Sequence, residues 1–135
     1  MVRNFKDTDI SSVRKIWVDS HIRQDGFIST DMWRTGLITL NKSVEETDVY
    51  VCVEHGSVCG FIQLDCTEIV GLFCAYDRHF KKIISQLLEY VKNISSYLVF
   101  KPFMTDSESL KIYSHEGFKK SSEHDGLYVY SRDNI

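Results

Sequence analysis

IVGLFCAYDRHFKKIISQLLEYV, residues Ile69 to Val91, organises the rest of the chain: an apolar run, a polar break rich in cations, then a helical pattern. Ile69, Val70, Leu72, Phe73 and Cys74 form a β-branched and aromatic run without clean alternation, which predicts a strand buried on both faces. Tyr76-Asp77 breaks it. Beyond the break, Phe80, Ile83, Ile84, Leu87, Leu88 and Val91 recur at helical spacing and predict one apolar stripe on a helix of roughly four turns. Arg78, His79, Lys81 and Lys82 crowd the first turn, where unpaired backbone N–H groups already make a positive end and acidic residues are the usual choice. Each exposed cation there costs on the order of 0.3–1 kcal/mol unless an anion sits at the helix end. A phosphate would remove that cost. A solvated basic face with Asp77 as N-cap accounts for the same residues equally well.

At 135 residues the chain has the length of one domain, spanning 1–135, and can bury a real core. Hydrophobic residues make up 43% and charged residues 26%, the balance of a water-soluble fold. A net charge of −3 makes the basic cluster a local feature and gives no case for nucleic-acid binding. No apolar run approaches the roughly 18 residues of a membrane span, and MVRNFKDTD has no signal-peptide core, so neither a membrane nor a secreted location is expected. The expected compartment is the cytoplasm. Cys52, Cys59, Cys66 and Cys74 lie in strand-like runs without C-x-x-C spacing and are expected as buried reduced thiols. No pair of histidines has ligand spacing, and no metal is assigned.

The flanks follow the same logic. Val2 to Phe5 predicts an opening strand, followed by a helix capped by Asp7 or Asp9 with Ile10, Val13, Ile16 and Trp17 on one side. A linker from His21 to Ser29, interrupted at Asp25-Gly26, leads to a second short helix capped by Ser29 or Thr30 and carrying Met32, Trp33, Leu37 and Leu40. Asp48 to Leu64 reads as a hairpin turning at Glu54-His55-Gly56-Ser57, and Gly60 within its second strand predicts a bulge or a close backbone approach. Four antiparallel strands thus precede the central helix. After it come the strand Tyr97 to Phe100, the helix SESLKIYSHEG capped by Asp106 or Ser107 and stopped by Gly117, and a last strand pair around Asp125-Gly126. The order β-α-α-β-β-β-α-β-α-β-β predicts a mixed, mostly antiparallel twisted sheet of six to seven strands with helices on both faces.

That order, the strand–cationic loop–helix unit and the segment IYSHEGFK resemble the GNAT superfamily of acyl-CoA-dependent N-acetyltransferases over nearly the whole chain, closest to its compact bacterial members. The most specific match is Ile112, Tyr113, Gly117 and Phe118, which looks like the family's LY-x-x-x-GF signature. The resemblance implies an acyltransferase that moves an acetyl group from acetyl-CoA to a primary amine. It also implies that the fourth strand parts from the fifth and that the pantetheine arm lies in the gap. Leu72, Phe73 and Cys74 would then present backbone groups to that arm, and His79, Phe80, Lys81, Lys82, Ile83 and Ile84 would form the pyrophosphate loop. Tyr113 would protonate the departing thiolate, a role that suits a phenol whose ordinary pKa is near 10. The loop departs from the family's Arg/Gln-x-x-Gly-x-Gly/Ala at three places, His79, Lys82 and Ile84. Either Lys81 and Lys82 hold phosphates by side-chain charge, or the domain has kept the fold as a binding or regulatory module without acetyl-CoA.

The acceptor side offers less. Glu54, Asp65 and Glu68 are carboxylates available as a base, though turn and strand-edge positions explain them as well. Trp17, His21, Asp25, Phe27 and Trp33 would line an acceptor pocket for a small-molecule or peptide amine, with core packing the stronger explanation for the two tryptophans. A homodimer is compatible with this assignment.

Overall fold

The computed structural model describes the chain except residues 26–29, 76–78, 103–106, 125 and 133–135, with backbone alone for 23–25 and 30–33. The elements are β1 (Val2–Asn4), a 3-10 turn (Asp7–Asp9), α1 (Ile10–Asp25), α2 (Thr30–Glu46), β2 (Asp48–Glu54), β3 (Ser57–Asp65), β4 (Glu68–Cys74), α3 (Phe80–Ile94), β5 (Tyr97–Phe100), α4 (Ser107–His115), β6 (Lys119–Lys120) and β7 (Tyr128–Ser131). They form one seven-stranded sheet in the order β1-β2-β3-β4-β5-β7-β6, antiparallel throughout except for β4 against β5. This is the element order and mixed sheet expected from the sequence.

Two apolar layers sandwich the sheet. On one face Val13 and Ile16 of α1 and Leu40 of α2 pack on Val49, Val51 and Phe61. On the other, the α3 stripe Ile83, Ile84, Leu87, Leu88 and Val91 meets Cys52, Ile62, Leu98 and Phe100, with Ile112 and Tyr113 of α4 closing the layer. Strand alternation sends Phe61 to one layer and Ile62 to the other.

The β2–β3 hairpin turns on two residues of positive φ, His55 at 53° and Gly56 at 78°, the type I′ geometry that matches strand twist. Gly60 fulfils both of its expectations. Val53 pairs with Val58 and Cys52 with Gly60, which leaves Cys59 as the extra residue of a bulge. A Cβ on Gly60 would lie 2.7 Å from Ile83 Cγ2 and 3.1 Å from the Phe73 carbonyl, so its absence lets α3 sit down on the sheet.

Five expectations need correction. β4 is covered on both faces toward its end, with Leu72 and Cys74 in one layer and Phe73 in the other, but Leu64 pairs with Ile69 and Gln63 with Gly71, so Val70 is a bulge residue and is 44% exposed. The bulge at Val70 and the cover on both faces at 72–74 together break the alternation. His21 to Asp25 belong to α1, because nothing before Gly26 interrupts the helix, and the remainder of the expected linker lies outside the described residues. The second helix is long, from Thr30 to Glu46. The thiols are free but not uniformly buried, since Cys66 sits exposed in the β3–β4 turn at φ 57°.

The N-cap of the 3-10 turn is Lys6, not Asp7 or Asp9, and Asp9 is the turn's third residue. Its carboxylate accepts both guanidinium N–H groups of Arg3, at 2.8 and 3.0 Å, and the Lys6 N–H at 2.8 Å, clasping the 3-10 turn to β1. The Arg3 hydrogen bonds, foremost, hold the Asp9 carboxyl below its ordinary pKa.

Candidate active site

β4 and β5 are in register only at Glu68–Val99 and Ile69–Phe100. β5 ends there, and the chain leaves through Lys101-Pro102 while β4 continues to Cys74. The consequence is a cleft of about 380 Å³ lined by residues 69–73 of β4, residues 100–102, and Tyr113 of α4.

Which β4 peptides face this cleft follows from the hydrogen bonding. The Ala75 N–H donates to the Cys59 carbonyl at 2.8 Å, so this end of β4 is laddered to β3 through its odd-numbered residues. Alternation turns the peptide groups of Phe73 toward β3 and those of Leu72 and Cys74 toward the cleft. Of the three residues named as backbone contributors, Leu72 and Phe73 line the cleft and Cys74 lies just beyond its lining. The Cys74 side chain is buried in the α3 layer, whereas the Phe73 ring packs on the α1 side, 5.3 Å from the ring of Phe61.

Tyr113 is 2% exposed, held edge-on to Phe100 at 5.0 Å between ring centroids and 6.1 Å from Tyr128. The Phe118 N–H donates to the Tyr113 carbonyl at 3.0 Å, and Gly117, at φ 93°, supplies the left-handed turn that ends α4. The spacing Tyr-x-x-x-Gly-Phe is therefore the wrap of one helix end, and it fixes the phenol in the cleft wall.

At the start of α3, the Ile83 N–H donates to the His79 carbonyl at 3.0 Å. His79 occupies the N-cap position without a side-chain cap bond, and Asp77, expected there as an alternative, lies outside the described residues. Ile83 and Ile84 bury their side chains in the core, so the bulk at Ile84 lies within the fold. Phe80 packs against the same layer. Lys82 reaches Glu54 at 3.3 Å, and Lys81 reaches Glu108 at 3.6 Å, both ammonium groups standing more than half exposed. A neighbouring groove of about 320 Å³ between α3 and α4 is lined by Lys81, Ser85, Glu108, Lys111, Ile112 and His115. Cations thus border the helix start from α3 and α4 together, a pattern that separate readings of the two helices could not reveal.

On the acceptor side, His21 stacks on Trp17 at 4.1 Å and lies 5.7 Å from the Phe73 ring. Asp25, Phe27 and Trp33 lie outside the residues whose side chains are described. Asp65 and Glu68 pair with each other across the β3–β4 turn, at the closed end of the β4–β5 cleft. Among the described residues no cluster of His, Cys, Asp or Glu is arranged to hold a metal, and no helix is long and apolar enough to cross a membrane.

No protein-family model matches the chain. A peptidyl-lysine N-acetyltransferase of Escherichia coli K12, YiaC, is 19% identical over 120 residues, covering 87% of this chain and 82% of its own. A GCN5-related N-acetyltransferase from Rhodopseudomonas palustris superposes with a TM-score of 0.73 at 14% identity, covering 97% of this chain and 94% of the other. The PaiA N-acetyltransferase of Thermoplasma acidophilum, solved with coenzyme A, gives 0.70 at 15% identity, covering 96% and 95%. With the parted β4–β5 pair, the helix start beside it and these superpositions in agreement, the chain has the GCN5-related N-acetyltransferase (GNAT) fold.

Proposed function

We propose that residues 1–135 form one acetyltransferase domain that moves an acetyl group from acetyl-CoA to a primary amine, carried by a small molecule or a peptide. The observation that carries this reading is that Leu72, whose peptide groups turn away from β3, and Tyr113 line one cleft where β4 parts from β5. The fit is good: the pantetheine arm is a chain of amides, and an unpaired strand edge offers amide partners. Residues His79 to Ile84 hold the pyrophosphate at the helix start, with Lys81 and Lys82 adding charge from outside. A bulky residue at position 84 is tolerated because its side chain turns into the core.

In the reaction the amine nitrogen attacks the thioester carbon. A β4 peptide N–H on the cleft side polarises the carbonyl, and the Tyr113 hydroxyl donates its proton to the sulfur as the C–S bond breaks. The buried ring holds that hydroxyl in place at little entropic cost.

The test is a calorimetric titration with acetyl-CoA and free CoA at low and physiological salt, followed by a screen of amines. Micromolar binding that weakens with salt is expected. Absence of binding up to millimolar concentration would overturn the enzyme and favour a module that has kept the fold without the co-substrate.

A further inference from the structure

We propose that Lys101 selects the acceptor: its ammonium receives a carboxylate carried by the substrate, so the preferred acceptor is a primary amine that bears a carboxylate. This rests on the acetyltransferase reading above. Lys101 is the first residue after β5, where the chain leaves β4, and it lines the β4–β5 cleft together with Leu72, Phe73, Phe100 and Tyr113. Among the described residues it is the one charged member of that lining. Lys81, Lys82 and Lys92 each meet a carboxylate, at 3.6, 3.3 and 3.1 Å, whereas among the described residues none pairs with Lys101. The Lys101 stem lies against a turn. Its Cε is 3.5 Å from the place a Cβ would take on Gly126, whose φ of 77° carries the chain from β6 toward β7.

Charge decides what this cation can serve. The phosphates of the co-substrate are assigned to the start of α3, and among the described residues no member of α3 lines the cleft. Lys101 shares its cleft with Tyr113, at the thioester end, so the anion left for it is one that the acceptor brings. The remaining lining is apolar apart from the neutral phenol, and a charge pair there is less weakened by water than on an open surface. The same cation disfavours a second ammonium nearby, which sets a polyamine at a disadvantage.

The assay follows release of the CoA thiol with acceptors matched in length and differing in charge: γ-aminobutyrate, its primary amide and putrescine. A parallel set of peptides carries one internal lysine flanked by Asp, Asn or Lys. The first set reports a free amino acid, the second a carboxylate presented by a peptide. In at least one set we expect the carboxylate member to exceed the neutral one by about tenfold in kcat/KM, mostly through KM, with the cationic member the poorest. Raising the salt concentration should shrink that preference. Lys101→Met keeps the stem against Gly126 and removes the charge, and the ratio should fall to about one. Lys101→Glu should invert it in favour of the cationic member. Because Lys101 is exposed, both variants should fold. Free CoA, titrated by calorimetry, should bind Lys101→Met within about twofold of wild type. A wild type with no preference in either set, a preference that survives Lys101→Met, an equal loss of kcat on every acceptor, or a loss of CoA affinity would each overturn the proposal. A wild type that acetylates none of the acceptors would overturn it together with the reading on which it rests, whereas an active wild type indifferent to acceptor charge removes the selection alone.

Discussion

Tyr113 and Asp9 are both buried polar residues, and their surroundings give them opposite tasks. Tyr113 is packed by Phe100 and Tyr128 through its ring, so Tyr113→Phe keeps those contacts and loses only the hydroxyl. Acetyl-CoA affinity should stay within a factor of about two while kcat falls roughly 100-fold, measured by titration and steady-state kinetics. Equal turnover in the variant would end the assignment of Tyr113 as acid. Asp9 is held below its ordinary pKa, chiefly by its hydrogen bonds to Arg3. A depressed carboxylate binds protons less readily folded than unfolded. Its contribution is therefore complete above the unfolded value, near 3.9, and is lost as pH falls through the lower folded value. Urea midpoints of wild type and Asp9→Asn should differ at neutral pH and converge as the solution is acidified below about 4. A difference that persists unchanged at low pH would show that the clasp acts by shape and not by charge.

Between elements, the informative contacts are those of α3 with the sheet and with its neighbours. Gly60 lets the helix approach, and Gly60→Ala would drive a methyl into Ile83 while meeting the Phe73 carbonyl. The helix must lift or tilt, costing roughly 1–3 kcal/mol in denaturant melts and carrying the helix start away from the cleft. Lys81 and Lys82 stand at the opposite extreme: their pairs with Glu108 and Glu54 are exposed at the lysine end, so Lys81→Ala with Lys82→Ala should change stability by less than about 1 kcal/mol. The same double variant should bind CoA more weakly and with a shallower salt dependence; unchanged affinity at low salt would leave the lysines as surface charge. The α3 stripe, the hairpin turn, Gly60 and the Tyr113–Phe118 helix end were all legible because each is a local pattern with a local physical cause. Val70 was misread since a bulge and a strand covered on both faces produce the same uneven apolar run, and only the pairing with β3 separates them. His21 as a neighbour of Phe73 was not legible, because that contact depends on how α1 crosses the sheet and on how far the helix extends past residue 21.

At the scale of the molecule, the sheet is two ladders joined across the short β4–β5 register, β1 to β4 on one side and β5, β7 and β6 on the other. The helices α3 and α4 bridge them, with Lys92 donating to the Glu116 carboxylate at 3.1 Å and to its carbonyl at 2.7 Å, and Ser85 to the same carboxylate at 3.0 Å. That bridge leaves the open edge of β4 available without letting the halves drift apart. A co-substrate that hydrogen-bonds to that edge and to the start of α3 adds a further link, so it must stabilise the native state in proportion to its occupancy. At free CoA one hundred times its dissociation constant the gain is about 2.7 kcal/mol, which for a chain of this length raises Tm by roughly 10 °C. Amide exchange should locate the link: the N–H groups of Leu72 and Cys74 become protected on binding, while that of Phe73, directed into the β3 ladder, changes little. Uniform protection across all three would mean that CoA tightens the sheet from elsewhere. Protection at Leu72 and Cys74 that is lost with Lys81→Ala and Lys82→Ala would tie the strand edge and the helix start to a single ligand, as one cleft requires.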